Sequence, residues 1–303
     1  MPGEFDLIDW IRGQQRPSSQ ILEVGIGDDL AALKWPASEL LLVGVDQVLD
    51  GVHFNSAAHT PHQIGRKAMN RNLSDCAAMG CLPAAALVSV ALPADFSVDR
   101  AKQLYRGLRE AGDAFQCPIV GGDTATWPGK LAVSVTIIGR SAGQKPVTRA
   151  GAKAGDHIFV TGALGGSILG RHLTFEPRVA LGCRLAPHAT AMIDLSDGLS
   201  RDLAHICRAA AVGAMVESSL VPIHADAVEL SRLDNVASLD HALNDGEDYE
   251  LLFTSREPVI DGAIRIGQIT SDPGILLRDA TGQLKPLDPR GWQHSIRPAD
   301  RSP

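Results

Sequence analysis

The chain has 303 residues, 45% of them hydrophobic and 21% charged, with a formal net charge of −7. That is enough apolar material for the cores of two domains, and the charged fraction is ordinary for a globular chain. An acidic balance with scattered basic residues argues against a nucleic-acid or anionic-membrane partner, which would require a basic patch.

The segment Met1 to Trp10 has acidic residues and no apolar signal core, and no apolar run in the chain is long enough to span a bilayer. Leu40 to Asp46 is a short apolar run ending in an acid and reads as a buried strand. His62 to Gly80 has helical spacing through Ile64, Ala68, Cys76 and Ala77, with Gly80 suited to the C-terminal cap. Ala84 to Leu92 is β-type and is stopped by Pro93. Ser97 caps a predicted helix carried by Val98, Ala101, Leu104, Leu108, Ala111 and Phe115. Ile119 and Val120 lead into Gly121-Gly122-Asp123-Thr124, and Leu131 to Gly139 is a further strand. Arg140 to Asp156 has almost no apolar pattern and reads as the domain connection, which gives domains at 1–140 and 141–303. Strands follow at His157 to Thr161 and Met192 to Asp194, then a helix from Ser196 to Ala211. Strands at Tyr249 to Thr254 and Ile264 to Ile269 precede a hairpin, in which Ile275 to Asp279 and Leu284 to Leu287 flank Thr281-Gly282. The expected class is α/β (α+β), with mixed sheets packed by helices. The five cysteines, Cys76, Cys81, Cys117, Cys183 and Cys207, are an odd number without C-x-x-C spacing. They read as reduced, buried thiols of a cytoplasmic enzyme.

Five acidic segments carry the chemical signal: Gly25-Ile26-Gly27-Asp28-Asp29, Asp46 to Phe54, Asn72-Leu73-Ser74-Asp75, Gly121-Gly122-Asp123-Thr124 and Ile193-Asp194-Leu195-Ser196-Asp197-Gly198. Most lie where a strand ends or a helix begins, where loops converge and backbone N–H groups are exposed. One Gly-Asp pair alone is usually a turn or a cap. Carboxylates gathered from five segments would repel one another unless cations sat between them, and hard oxygen donors select magnesium, manganese or calcium. A magnesium site that grips polyphosphate is the natural reading. The chain has no P-loop, no complete dinucleotide fingerprint, no protein-kinase signature and no G-x-S-x-G elbow.

These motifs, with Arg149 to Asp156 and Gly246-Glu247-Asp248-Tyr249-Glu250-Leu251-Leu252-Phe253, resemble the thiamine-monophosphate kinase family over about Phe5 to His294. The segments Asp50 to Phe54 and Glu247 to Phe253 are the most specific. The resemblance implies the two-domain architecture of the aminoimidazole ribonucleotide synthetase-like superfamily. Residues 1–140 would bind ATP and magnesium and mediate dimerisation, and 141–303 would complete the active-site cleft. It implies transfer of the γ-phosphoryl group of ATP to thiamine phosphate. Several magnesium ions would be held by Asp28, Asp46, Asp75, Asp123, Asp194 and Asp197, with Asp46, Asp75 and Asp123 at the catalytic centre. Tyr105, Gly122, Asp123, Arg149 and Ser196 would touch ATP, while His53, Glu247 and Trp292 would face the thiamine substrate. A homodimer is implied as well, with no nucleic-acid or membrane partner.

Three departures from the family pattern bear on metal number: Gly44-Val45 stand where a hydroxyl residue usually precedes Asp46, Asp50 replaces a Glu, and Asp245 replaces a Gly. The segment from Leu169 to Arg178 is short for the family. Several residues have a second reading from their context. His53 either contacts substrate or satisfies a strand-end hydrogen bond, Trp292 either stacks or packs, and Tyr105 either meets ATP or belongs to the core. His59 and His62 read as surface or capping residues, and Asp202 as a solvent-facing charge at a helix start. Another ATP-using member of the superfamily, or an inactive nucleotide-binding paralogue, are the alternative functions.

Overall fold

The computed structural model describes residues 10, 11, 13, 14, 21–24 and 32–292. The chain divides into two compact units, residues 1–148 with 170–194, and residues 149–169 with 195–303.

After a short ladder of β1 (Leu22–Val24) and β2 (Ala32–Leu33), the first unit is built on a four-stranded sheet. Its strands are β3 (Leu41–Leu49), β4 (Leu82–Pro93), β5 (Ile119–Trp127) and β6 (Ala132–Arg140), in the order β3-β6-β4-β5. Only β4 and β5 run parallel. The expected strand at Leu40 to Asp46 is present but not buried on both sides. Its residues alternate, with Leu41, Val43 and Val45 exposed and Val48 buried, because helices cover one face of the sheet and leave the other open among the described residues. The glycine-rich segment after Val120 stays in the sheet as far as Trp127.

Helix α1 (Pro61–Ala78) starts at a capping box, where the Thr60 hydroxyl accepts from the Gln63 N–H and the Gln63 side chain accepts from Thr60. It buries Ile64, Ala68, Met69, Leu73, Cys76 and Ala77. Met79 caps its C-terminus and Gly80 follows at φ +63°, the left-handed turn that glycine adopts without strain. Helix α2 (Val98–Ala114) is capped by Ser97 as the sequence predicts. The two helices cross backbone to backbone. A Cβ on Gly65 would lie 2.2 Å from the Leu104 carbonyl oxygen, and one on Gly107 would lie 2.0 Å from that of His62. Helix α3 (Val179–Leu185) also packs on α1, with Gly182 set against the Ala77 carbonyl.

The second sheet contains β7 (His157–Val160), β8 (Ala191–Asp194), β9 (Gly213–Glu217), β10 (Leu251–Ser255), β11 (Ile264–Thr270), β12 (Gly274–Arg278) and β13 (Leu284–Pro286). Its order is β13-β12-β9-β11-β7-β10-β8. The expected hairpin forms from β12 and β13, and the Asp279 carboxylate accepts from the N–H groups of Thr281 and Gln283 in the turn. Helix α4 (Leu199–Ala210) begins later than the predicted Ser196, because Ser196-Asp197-Gly198 forms a turn with Gly198 at φ +113°. Helices α5 (Ala225–Asp234) and α6 (Ser238–Asn244) complete the unit.

Candidate active site

In the first unit, three of the predicted acids gather around α1. Asp46 on β3 accepts from Arg71 Nε at 2.9 Å. A Cβ on Gly44 would lie 3.9 Å from Asp75 Oδ2, which places the Asp75 carboxylate against β3. The Ser74 hydroxyl donates to Asp194 Oδ2 at 2.7 Å, and Asp194 is buried at the end of β8. Asp123 stands exposed on β5 in register with Ser89, and Gly122 is in register with Val88. Tyr105 on α2 is buried, with Trp10 edge-on at 5.6 Å, and burial pushes its phenol pKa up to about 12. Asp28 lies outside the described residues.

His53 makes the strand-end hydrogen bond that its context allowed: its Nδ1 accepts from the Leu49 N–H at 3.1 Å. In the neutral ring this puts the proton on Nε2. Its carbonyl accepts from Lys67 Nζ, a fully buried ammonium that also lies 2.7 Å from His172 Nδ1. Asp50 is occupied by the turn, accepting from both the N–H and the hydroxyl of Ser56.

In the second unit, Ser196, Asp197, Glu247 and Trp292 come together through the backbone. The Glu247 N–H donates to the Ser196 carbonyl at 2.8 Å, and the Trp292 N–H donates to the Asp197 carbonyl at 2.9 Å. Arg201 holds the C-terminal segment by donating to the Gly291 and Pro289 carbonyls. Trp292 itself is half exposed. Glu247 and Tyr249 adopt φ +54° and +52°. For non-glycine residues that conformation costs about 1–3 kcal/mol each and persists only where its surroundings hold it, often at functional sites. Here the buried Asp248 between them accepts from the Gly165 N–H, and the Gly166 N–H donates to Asp245.

Asp202 corrects an expectation. It does not face solvent but is 1% exposed, and its Oδ2 accepts from the N–H groups of Asp197 and Gly198. It folds the turn that carries Asp197. Asp197, Asp202 and His205 are the one group of three acidic, His or Cys side chains, among the described residues, whose ligand atoms lie within 4.8 Å of one another. Asp46, Asp75 and Asp123 form no such trio there. Burial, then the charge of Arg149, lowers the His205 imidazole below its usual pKa, which favours the neutral ring. That relation places the exposed Arg149 near His205, and the 3-10 turn Arg149–Gly151 packs on α4.

The sequence reading missed Lys67, Arg71 and His172. Lys67 had a signal, a charge set among the apolar positions of α1. Arg71 and His172 had none, since their partners lie 25 and 105 residues away in the chain.

Asp75 and Asp194 in the first unit, and Asp197 in the second, each offer carboxylate oxygens, the donor type that hard dications such as magnesium take. At Asp46 the neighbour is itself a cation.

The architecture is the aminoimidazole ribonucleotide synthetase-like fold. Residues 27–141 match the family model of AIR synthase related protein, N-terminal domain. A thiamine-monophosphate kinase of Rhodopirellula baltica is 40% identical over 309 residues, covering 96% of this chain and 97% of its own. The structure of AaThiL complexed with AMPPCP and TMP superposes with a TM-score of 0.78 at 31% identity, covering 97% of both chains. Thiamine-monophosphate kinase from Stenotrophomonas maltophilia superposes with a TM-score of 0.79 at 34% identity, covering 91% of this chain and 96% of its own. The hydrogenase maturation protein HypE, at 18% identity and a TM-score of 0.75 over 98% of both chains, shares the fold. The chain belongs to the thiamine-monophosphate kinase family.

Proposed function

We propose that this chain is an enzyme that transfers the γ-phosphoryl group of ATP to thiamine phosphate, giving thiamine diphosphate and ADP, the last step in making thiamine diphosphate. The observation that carries this reading is the full-length similarity to AaThiL, whose structure holds AMPPCP and TMP.

The acceptor is a phosphate monoester, already ionised near neutral pH, so no side chain has to abstract a proton. The barrier lies in bringing two anions together and in the charge on the transferring group. Asp28, Asp75, Asp123, Asp194 and Asp197 would hold magnesium, which when bound supplies charge shielding and alignment of the phosphates. Asp46 carries the ion pair to Arg71 and is left out of that set. Ser74 fixes the Asp194 carboxylate by hydrogen bond, and Asp202 fixes the turn under Asp197. Arg149, Gly122 and Ser196 would contact ATP. Tyr105, although buried, would touch ATP as well. His53, with its proton on Nε2, is a donor to the substrate; Glu247, held at positive φ, and Trp292 would complete the thiamine side.

The open face of the first sheet supports a homodimer. Leu41, Val43 and Val45 are 54%, 64% and 63% exposed, an apolar stripe of the kind that a second copy would cover. No helix among the described residues is long and apolar enough to cross a membrane. All five cysteines are unpaired, which supports a cytoplasmic setting.

The test is direct. Purified protein with ATP, magnesium and thiamine phosphate should yield ADP and thiamine diphosphate in equal amounts, the latter separated by chromatography. ATP turnover indifferent to thiamine phosphate, or no turnover with magnesium or manganese, would end this reading.

A further inference from the structure

Asp46 is chemically unlike its neighbours. Strand alternation sends the Val45 side chain to the open face of the sheet, where it is 63% exposed. Gly44 shares the side of Asp46 but has no side chain to offer. No hydroxyl or carbonyl side chain therefore stands beside Asp46 on its own strand. What stands there is the Arg71 guanidinium, with Nε 2.9 Å from Asp46 Oδ2 and side-chain exposures of 14% for Arg71 and 34% for Asp46.

A guanidinium stays charged at every accessible pH. A dication ligated by Asp46 would sit about 2.1 Å from the same carboxylate, face to face with that fixed positive charge and half-shielded from water. The carboxylate has one negative charge to share. The two cations repel each other and compete for that charge, and the guanidinium is tethered while the ion must be taken from solution.

We propose that Arg71 takes the place of a divalent cation at Asp46, so that Asp46 anchors an arginine and the chain holds one metal ion fewer than its acidic motifs would allow. The arginine then supplies, from within the chain, a permanent positive charge beside Asp75. This deepens the function proposed above and rests on its reading that Asp75 holds magnesium.

Gly44 makes the arrangement reversible by substitution. Its backbone is not in the left-handed region, and an added Cβ would meet Ile137 Cγ2 at 3.4 Å and Asp75 Oδ2 at 3.9 Å, both ordinary contacts. A serine there would bring a hydroxyl to the edge of the Asp75 carboxylate.

The experiment counts manganese ions bound per chain, by electron paramagnetic resonance titration of the full chain with a non-hydrolysable ATP analogue and thiamine phosphate. Asp46→Asn should bind the same number as wild type, and Asp75→Asn one fewer. The Gly44→Ser/Arg71→Met pair should bind one more, and adding Asp46→Asn to that pair should abolish the extra ion. Arg71→Lys, which keeps the charge, should bind the wild-type number, which separates the charge from the fold. Loss of an ion in Asp46→Asn alone, or no gain in the Gly44→Ser/Arg71→Met pair, overturns the inference. A count unchanged by Asp75→Asn overturns the magnesium reading beneath it, and the inference with it.

Discussion

Lys67→Met is the substitution whose consequences the structure defines most closely. The lysine is fully buried, and its ammonium meets two acceptors, the His53 carbonyl at 2.5 Å and His172 Nδ1 at 2.7 Å. Methionine fills nearly the same volume without the charge. A buried acceptor, His172 Nδ1, and a part-buried one, the His53 carbonyl, lose that donor, at up to about 1–3 kcal/mol each, while the desolvation penalty of a buried ammonium, several kcal/mol, disappears. These terms oppose each other. The melting temperature should therefore move by less than about 6 °C, at ~2–4 °C per kcal/mol for a unit of this size. The specific loss is the anchor on His53. A charge-assisted hydrogen bond contributes about 1.5–3 kcal/mol, which corresponds to roughly a 10- to 150-fold fall in kcat/KM for thiamine phosphate. KM for ATP should change less than about twofold, since in the proposed function the anchored group would face the other substrate. His53→Ala should give a similar fall, and the double variant little more, because one function is removed twice. Steady-state kinetics with each substrate varied in turn reads all three. If Lys67→Met keeps its kcat/KM for thiamine phosphate while melting early, the lysine is a structural group and the reasoning fails.

The remaining expectations concern packing, a turn and a titration. Gly107→Ala places a methyl group 2.0 Å from the His62 carbonyl oxygen, forcing α1 and α2 apart at a cost of about 1–3 kcal/mol; calorimetry should show a melting temperature lower by ~2–12 °C, and an unchanged value would refute the close crossing. Asp202→Ala removes the acceptor of two N–H groups in the turn at Asp197, at about 1–3 kcal/mol for each; manganese titration should show weakened binding together with a lower melting temperature. At His241, burial lowers the imidazole pKa, but the hydrogen bonds and charges of Asp245 and then Asp234 outweigh it and hold the value above the usual 6.5. A raised folded-state value means that the contribution to stability is complete below pH 6.5 and is lost as pH rises through the folded-state pKa. Denaturant unfolding from pH 5.5 to 8.5 should show that decline, and His241→Gln should flatten it; equal slopes in the two proteins would refute the assignment.

Much of this was legible in the chain itself. Ser97 and Gly80 mark helix ends by local chemistry, and the helices begin and stop where those residues stand, within a residue or two. The strings Asp50 to Phe54 and Glu247 to Phe253 identify the family because their order and composition are specific. Periodicity could not say that the strand before Asp46 has one open face, since an apolar residue reads the same whether a helix or a second copy is meant to cover it. It also placed Asp202 in solvent, because a helix-start acid looks alike whether it faces water or bends back to cap the turn before it.

What the sequence alone determined was local: which residues cap, alternate or turn, and which acids are grouped in short motifs. What only the tertiary structure decided was pairing at a distance. Asp46 with Arg71, Ser74 with Asp194, and Lys67 with His53 and His172 join residues 14 to 120 positions apart. The strength of a charge depends on what neutralises it within a few ångströms, and that neighbour is set by how strands and helices stack, not by the order of residues along the chain.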